Sequence, residues 1–277
     1  MRIKFWGTRG SIPVPDSRMM KYGGNTTCLS AELDGRLLVI DAGTGIRKVG
    51  EEIMRRGIYQ FDMFLTHSHW DHIQGFPFFL PVYSQRVAVN IYGCTSSYKT
   101  LKDILSRQMS QEYFPMRFSD LKARIDFVPG CEEVFQINGH KIRTINANHP
   151  LFTVGLRVEK GGTSFVFITD NELKQESPAT AWSTFVEFCY GADYLVHDAQ
   201  FTESEYAHRR GWGHSTFDQV LELARAAEVK NLGFFHHDPD RRDEDLYRLE
   251  IEYRAASKLK QDRFQVFAVR EMSEIEV

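Results

Sequence analysis

The stretch 66–72, T-H-S-H-W-D-H, constrains the fold of this chain more than any other part of the sequence. It follows directly on the apolar run Phe61–Leu65. In an extended segment His67 and His69 point to the same side, because side chains alternate along a strand. Asp71 and His72 then lie on the following turn, where they can face a second point. Imidazole and carboxylate together suit Zn²⁺, Fe, Mn²⁺ or Co²⁺, so we predict a buried strand that ends in a metal site.

Three later residues repeat the pattern of a potential ligand after an apolar strand. They are His149, before Pro150; Asp170, after the run Phe165–Ile168; and His236, after the predicted strand Asn231–Phe235. Each also has a simpler explanation when taken alone: a loop histidine held extended by a proline, a helix N-cap, or a solvated strand end. The residues by themselves leave these alternatives open.

The composition limits the class of protein. Of 277 residues, 42% are hydrophobic and 26% charged, with a formal net charge of −3. These values exclude disorder, collagen and coiled coil, and the near-neutral charge argues against strong non-specific binding to nucleic acid or to an anionic membrane. No apolar stretch approaches the ~18 residues of a membrane span, and the N-terminus lacks the apolar region of a signal peptide. No linker divides the chain, so we predict one domain, residues 1–277.

The cysteines indicate the compartment. There are four, without C-x-x-C spacing: Cys28, Cys94, Cys131 and Cys189. This is neither a zinc-ribbon pattern nor a disulfide framework. We therefore expect small, reduced core residues and a cytoplasmic location.

Hydrophobic periodicity predicts an α/β chain. The predicted strands are Arg2–Trp6 (edge-like), Thr26–Leu33, Arg36–Ile40, Phe61–Leu65, Val87–Tyr92, Lys141–Ala147, Val154–Val158, Ser164–Ile168, Tyr194–Val196, Asn231–Phe235 and Phe264–Val269. The predicted helices are Gly43–Arg56, Thr95–Ser106, Ala179–Cys189, Phe217–Ala227 and Asp243–Lys260. Asp34-Gly35 is a strong hairpin signal, and Gln108–Met116 is expected to be irregular.

The motif H-x-H-x-D-H at 67–72 resembles the signature of the metallo-β-lactamase fold. The resemblance implies an α/β fold, the αββα sandwich of two mixed β-sheets flanked by helices, with later ligands in the order His149, Asp170, His236. Four other segments are similar to the RNase Z-like, phosphodiesterase branch of that family: Gly7–Pro13, Tyr22–Cys28, Gly213–Thr216 and His236–Pro239. A Gly-His-Ser-Thr segment is not expected in the lactam-hydrolysing branch, so a lactamase is the weaker alternative.

By this resemblance, seven residues hold two metal ions. His67, His69 and His149 hold one, Asp71, His72 and His236 hold the other, and Asp170 bridges the two. Zinc is the expected metal, with manganese or iron as alternatives. Two such ions, roughly 3.5–4 Å apart, share a hydroxide near neutral pH, and the resemblance to the RNase Z-like branch implies a metal-dependent phosphodiesterase. His237 is expected to face the opposite side of its strand and to lie outside the site.

His214 is the leading catalytic candidate. In RNase Z-like enzymes the matching histidine lies over the metals and contacts the phosphate, where it stabilises the transition state or protonates the leaving alkoxide. Ser215 is expected to cap the following helix, with Asp218 three residues on. Asp198 either orients His214 or a ligand, or is a buried structural carboxylate. The candidate catalytic residues are therefore His214, Asp71 and Asp198.

Two features bear on the size of the substrate. RNase Z grips tRNA with a long basic arm between its third and fourth motifs, whereas here residues 150–169 hold two predicted strands around Gly161-Gly162. The insert between His72 and His149 is rich in aromatic residues: Phe76, Phe78, Phe79, Tyr113 and Phe114. Phe78 and Phe79 are expected in the core, and Tyr113 and Phe114 in a lid that can stack a nucleobase. The candidate substrate-binding residues are Ser11, Asn25, Tyr113, Phe114 and His214.

The sequence therefore predicts hydrolysis of a small phosphodiester, a cyclic nucleotide or other cyclic phosphate. Large structured RNA and membranes are not expected partners. An RNase Z-like nuclease is the alternative within the family, and a non-hydrolytic metal-binding sensor or redox protein of the same fold is the alternative from another class. The sequence leaves the oligomeric state open and allows a homodimer.

Overall fold

Two seven-stranded sheets form the centre of the structure, a computed structural model that describes residues 1–94, 100–129 and 134–277. The first sheet contains β1 (Arg2–Gly7), β2 (Cys28–Leu33), β3 (Arg36–Ile40), β4 (Gln60–Leu65), β5 (Ala88–Gly93), β6 (Arg124–Pro129) and β14 (Glu274–Glu276), in the order β14-β1-β2-β3-β4-β5-β6. The strands from β3 to β6 run parallel, and the others pair antiparallel. The sheet is therefore mixed.

The second sheet is also mixed. It contains β7 (Val134–Ile137), β8 (His140–Asn146), β9 (Val154–Lys160), β10 (Thr163–Ile168), β11 (Tyr194–Asp198), β12 (Asn231–Phe235) and β13 (Gln265–Ala268), in the order β13-β12-β11-β10-β9-β8-β7. The strands from β10 to β13 are parallel, whereas β7, β8, β9 and β10 form an antiparallel meander.

The described helices are α1 (Ile46–Arg56), α2 (Trp70–Ile73), α3 (Leu101–Gln108), α4 (Trp182–Cys189), α5 (Glu203–Tyr206), α6 (Phe217–Ala226) and α7 (Asp243–Leu259). The longer helices, α1, α3, α4, α6 and α7, pack on the outer faces of the sheets. Ile46, Val49 and Ile53 recur on one face of α1 and pack against the first sheet, as the helical period requires. α4, α6 and Tyr253 of α7 pack against the second sheet.

The two sheets pack against each other through a separate apolar core. Along β3, Leu38 and Ile40 enter this central core, while Leu37 and Val39 pack towards α1. The alternation places one face of the strand on each layer. Phe165 and Phe167 of β10 contribute from the opposite sheet. The predicted αββα sandwich is confirmed.

Both predicted tight turns are present. Asp34 and Gly35 have φ of 50° and 87°, and Gly161 and Gly162 have φ of 61° and 87°. Two consecutive positive φ angles match the twist of a two-residue hairpin. Consequently β9 and β10 are joined by the shortest kind of connection.

The structure differs from the sequence prediction in several elements. β1 is not an edge strand, since β14 pairs with it. β6, β7 and β14 were not predicted. The helix predicted over Thr95–Ser106 begins at Leu101, with Thr100 as its N-cap in a capping box with Asp103; residues 95–99 lie outside the described residues.

The cysteines follow the prediction only in part. Cys28 and Cys189 are buried free thiols, and burial raises the pKa of both. Cys94 lies in the core as expected but is disulfide-bonded, so the expectation of a reduced thiol is wrong there. Cys131 lies outside the described residues.

Among the described helices, none combines the length and the apolar character that a membrane crossing requires.

Candidate metal centre

The strands of both sheets deliver polar residues to one end of the sandwich. β4 leads directly into the motif at 67–72, and Asp170 and His236 follow β10 and β12. β10, β11 and β12 are parallel, so their carboxyl ends lie at the same edge of the sheet. His149 follows β8, which runs in the same direction as β10 because both are antiparallel to β9. The fold therefore brings together residues that are far apart in the chain.

The first group of candidate ligands consists of His67, His69, His149 and Asp170. All of their candidate ligand atoms lie within 4.8 Å of one another. The Nε2 atoms of His67 and His149 lie 3.6 and 3.8 Å from Asp170 Oδ2, and His149 Nε2 lies 3.0 Å from His69 Nδ1. Three imidazoles and a carboxylate around one point are a donor set that suits a tetrahedral divalent ion.

The second group consists of Asp71, His72, Asp170 and His236, also within 4.8 Å of one another. Asp170 Oδ1 lies 3.1 Å from His72 Nε2 and 3.2 Å from His236 Nε2. Asp71 Oδ2 lies 3.4 Å and 3.1 Å from the same two nitrogens. Asp170 thus offers one carboxylate oxygen to each group.

Two buried nitrogens at the centre fit a metal site. His67 Nε2 and His72 Nε2 have no hydrogen-bond partner among the described residues. Buried polar atoms are nearly always paired, and an unpaired imidazole nitrogen aimed at a carboxylate is what a metal ligand presents. The residues present therefore fit divalent metal binding.

The electrostatics of the two groups differ. Burial lowers the pKa of His67 well below its ordinary value and that of His149 to about 4, so both rings are neutral donors. Burial also acts against charge on His236, but Asp170 and Asp71 outweigh it and raise the pKa of His236 to about 9. The carboxylates thus favour positive charge in the second group, which a proton or a cation can supply.

Three strand ends turn through a left-handed residue. Asp41, Asp170 and His236 have φ of 60°, 51° and 58°, and each follows the end of a strand. Asp and His are among the few residues other than glycine that tolerate this region. Nearby, a Cβ added to Gly10 would lie 2.4 Å from the His236 ring, so Gly10 allows the backbone to pass against that ring.

Asp41 orients one candidate ligand, His72, and was not predicted from the sequence. It is fully buried, and its Oδ2 lies 2.7 Å from His72 Nδ1. The other carboxylate oxygen accepts from the Thr66 amide at 2.8 Å. With Nδ1 engaged, His72 presents Nε2 to the cluster. The available signal was its position: Asp41 directly follows an apolar strand, like the other candidates.

His214 lies over the second group. Its ring stacks on His236 with centroids 5.0 Å apart, and its Nδ1 lies 2.8 Å from Oδ2 of the fully buried Asp198. Asp198, His214 and His236 form a third group of neighbouring candidate ligand atoms. Because the Asp198 carboxylate can only accept, His214 carries its proton on Nδ1 and leaves Nε2 for another partner.

Residues 36–237 match the family model described as the Beta-lactamase superfamily domain. The chain belongs to the metallo-β-lactamase superfamily. Ribonuclease Z of Haloarcula marismortui is 24% identical, over 85% of this chain and 86% of its own. Two solved structures share the fold: a diphosphatase of the PhnP family (19% identical, TM-score 0.69, covering 100% of this chain and 97% of its own) and yeast PDE1 (14% identical, TM-score 0.68, covering 100% and 99%).

The family and the centre together identify the kind of protein. It is a metal-dependent hydrolase of the metallo-β-lactamase superfamily, related to ribonuclease Z. Both sheets of the sandwich supply candidate ligands, so the candidate centre lies where the two layers meet.

The loop before His214 is held in place by a buried carboxylate, Glu172, which was not predicted from the sequence. Glu172 is 1% exposed and accepts hydrogen bonds from the Tyr206 hydroxyl at 2.7 Å and from the Gly211 and Gly213 amides at 2.9 and 3.0 Å. The Gly213 carbonyl lies 3.1 Å from His149 Nδ1. Glu172 therefore fixes the backbone that orients both His149 and His214.

We expect Glu172→Gln to lower both stability and activity. The new amide group would face the Gly213 amide, leaving a buried donor unsatisfied at a cost of about 1–3 kcal/mol. A small shift of this loop moves His149 and His214 together, so kcat should fall at least about tenfold. Denaturant unfolding and steady-state hydrolysis measure the two effects. Glu176→Gln, at an exposed position four residues on, is the matched control, and equal behaviour of the two variants would contradict this role.

The helix cap near His214 differs from the prediction. Thr216, not Ser215, is the N-cap of α6, in a capping box with Gln219. Ser215 Oγ instead donates to the Asn171 carbonyl at 2.6 Å and accepts from the Leu173 amide at 3.1 Å. Ser215 therefore forms hydrogen bonds with the segment that carries Asp170 and does not cap the helix.

The two N-terminal candidates for substrate binding, Ser11 and Asn25, form hydrogen bonds with other parts of the protein. The Ser11 amide donates to Asp71 Oδ2 at 2.7 Å, so this backbone orients a candidate ligand. The Asn25 side chain donates to Glu271 Oε1 at 2.8 Å, and the Asn25 backbone amide donates to Glu271 Oε2. Asn25 thereby ties the N-terminal loop to the C-terminal segment.

The aromatic insert is less buried than expected. Phe79 lies in the core, but Phe78 is 61% exposed, so its assignment to the core is wrong. Phe78 packs edge-on against Phe114 with ring centroids 5.4 Å apart, and Tyr113 is exposed. The reason lies in the local backbone: in the short 3₁₀ turn Phe76–Phe78, Phe76 and Pro77 are buried and Phe78 faces outward.

His237 points away from the centre. Its Nε2 lies 2.8 Å from the Val269 carbonyl, its ring packs edge-on against Tyr22, and burial lowers its pKa to about 3. The left-handed backbone at His236 turns the chain after β12, and His237 then pairs with Arg9, away from the centre.

Proposed function

We propose that this hydrolase cleaves a small phosphodiester, such as a cyclic nucleotide or other cyclic phosphate, at a centre of two divalent ions, with zinc as the expected metal. The observation that supports it best is the position of Asp170, whose two carboxylate oxygens face different groups of ligands. His67, His69 and His149 would hold one ion, and Asp71, His72 and His236 the other. When bound, two ions lower the pKa of a shared water and neutralise charge on the phosphate.

In this proposal His214 acts on the transition state, as a charge stabiliser or as a general acid. Asp198 holds Nδ1, so the ring is fixed and Nε2 faces the substrate. From there it stabilises the charge that develops on a phosphate oxygen, or gives a proton to the leaving alkoxide. Asp198 contributes through this contact, and Asp71 contributes as a ligand oriented by the Ser11 amide.

The connection between His149 and Asp170 supports a small substrate. Residues 150–169 are filled by β9, β10 and their Gly161-Gly162 turn, so no basic arm extends from this part of the chain. The net charge of −3 adds no general attraction for a polyanion. Both features weigh against large structured RNA.

The experiment is a direct comparison of substrates. We expect kcat/KM for a cyclic mononucleotide to exceed that for precursor tRNA by at least about tenfold, with little dependence on salt. Nucleic-acid binding through several phosphates loses affinity steeply as salt rises, so the salt profile is an independent readout. Chelator-treated enzyme, with and without added zinc, is the control.

A ribonuclease Z-like nuclease is the second candidate. The curated relatives favour it, since the matching proteins from Haloarcula marismortui and Nitrosopumilus maritimus are both ribonuclease Z, each 24% identical to this chain. Better turnover of precursor tRNA, with a steep loss at high salt, would replace the small-substrate proposal with this one.

A further inference from the structure

An open aromatic cleft adjoins the metal centre. It has a volume of about 690 Å³, within the range of roughly 300–1,000 Å³ that is common for ligand sites. Its lining includes Ser68 and Trp70, the two neighbours of His69 in the chain. This wall of the cleft is thus one residue away, along the chain, from a candidate ligand of the first group.

The walls of the cleft are unusually apolar for a surface. Trp70, Phe78 and Tyr113 line it and are 77%, 61% and 78% exposed. Large aromatic side chains left in water usually mark a binding surface. Flat rings of this kind stack on other flat rings, which suits a planar occupant.

One polar group inside the cleft specifies the occupant further. Gln108, the last residue of α3, lines the cleft, and its buried Nε2 has no hydrogen-bond partner among the described residues. A buried amide without a partner is costly, so a rotation of the Gln108 side chain towards the cleft would pair this donor with an acceptor on a ligand. Arg107 and Glu112 line the same cleft and add a donor and an acceptor.

From this combination, and on the basis of the proposed function, we infer that the cleft holds the nucleobase of the substrate. Trp70, Phe78 and Tyr113 stack on the ring, and the Gln108 amide donates to a ring nitrogen or carbonyl at its edge. The substrate class is then a nucleoside phosphodiester, and Gln108 and Phe78 determine its specificity.

A phosphate-free probe tests the cleft separately from catalysis. Calorimetric titration of the full chain with adenosine should show saturable binding, and titration with ribose should not. Phe78→Ala should weaken adenosine binding by about ten- to a hundredfold, the range for a lost stacking partner. Gln108→Leu, which keeps the size but removes the donor, should weaken it by about five- to tenfold. Tyr190→Ala, an exposed aromatic elsewhere, is the control for both.

Turnover then separates this inference from the proposed function. Both variants should raise KM for cyclic AMP much more than KM for ribose 3′,5′-cyclic phosphate, which has no base. If wild type hydrolyses neither diester but adenosine still binds and responds to the variants, the proposed function fails and the base site stands. If adenosine binding is absent or unchanged in the variants, the base site is overturned, whether or not the diesters are hydrolysed. A change from dimer to monomer in Phe78→Ala with unchanged adenosine affinity would also overturn it, since the cleft would be an interface between copies.

Discussion

Replacing Asp170 by asparagine is expected to remove at least one metal ion per chain and to lower hydrolysis by more than about a thousandfold. Asp170 lies at the centre of both groups, with its oxygens 3.1 to 3.8 Å from four imidazole nitrogens. Removing its charge weakens both sites at once, and the ions supply several kcal/mol of charge stabilisation, where each 1.4 kcal/mol is tenfold in rate. Asparagine is preferred to alanine because the backbone here is left-handed, which asparagine tolerates.

Elemental analysis and steady-state hydrolysis measure the two effects of this variant. Wild type should hold about two ions per chain at saturation. Asp193→Asn is the matched control: Asp193 accepts from the Ser164 amide and pairs with Lys230, at the opposite end of β10 and β11. An Asp170→Asn enzyme with two ions and full activity would remove the shared-ligand assignment.

Replacing His214 by alanine is expected to lower kcat by ~10²–10⁴, the range for a lost general acid or charge stabiliser, while both ions and the fold are kept. The activity should fall without loss of metal because of where His214 lies. His214 stacks over His236 and is held by Asp198, but it belongs to neither of the two groups that share Asp170. Its removal therefore takes away a group facing the substrate and leaves the four donors of each group in place.

Metal content and kcat must be measured on the same preparation of His214→Ala. His208→Ala is the control, since His208 is an exposed histidine on the same loop. Loss of an ion in His214→Ala would make His214 a ligand and would contradict the role proposed for it.

The strand ends were predictable from the sequence because their signal is local. An apolar run followed by His or Asp marks a buried strand that emerges at an edge, and His67, Asp170 and His236 all show it. Asp41 shows it too, but an aspartate after a strand is also an ordinary turn residue. Only its contact with His72, across the sheet, reveals its role.

The contacts that orient the site were not predictable, because they join segments far apart in the chain. Glu172 accepts a hydrogen bond from the Gly213 amide. Ser215 forms hydrogen bonds with Asn171 and Leu173, so Thr216 caps the helix in its place. β6 and β7 were missed for another reason. β6 alternates charged and apolar residues and lies at the edge of its sheet, so it lacks the continuous apolar run that identified the central strands.

The left-handed turns at the strand ends impose two separate requirements on the same positions. At Asp41, Asp170 and His236 the side chain must suit the centre, and the residue must also accept a backbone that costs most L-residues about 1–2 kcal/mol. In a related protein that lost its activity, the side chain would no longer need to suit the centre, but the residue would still need to accept the left-handed backbone. Its sequence should then drift towards glycine or asparagine at these positions, and not towards alanine or valine. Glycine in all three places would mark a lineage that kept the scaffold after abandoning catalysis.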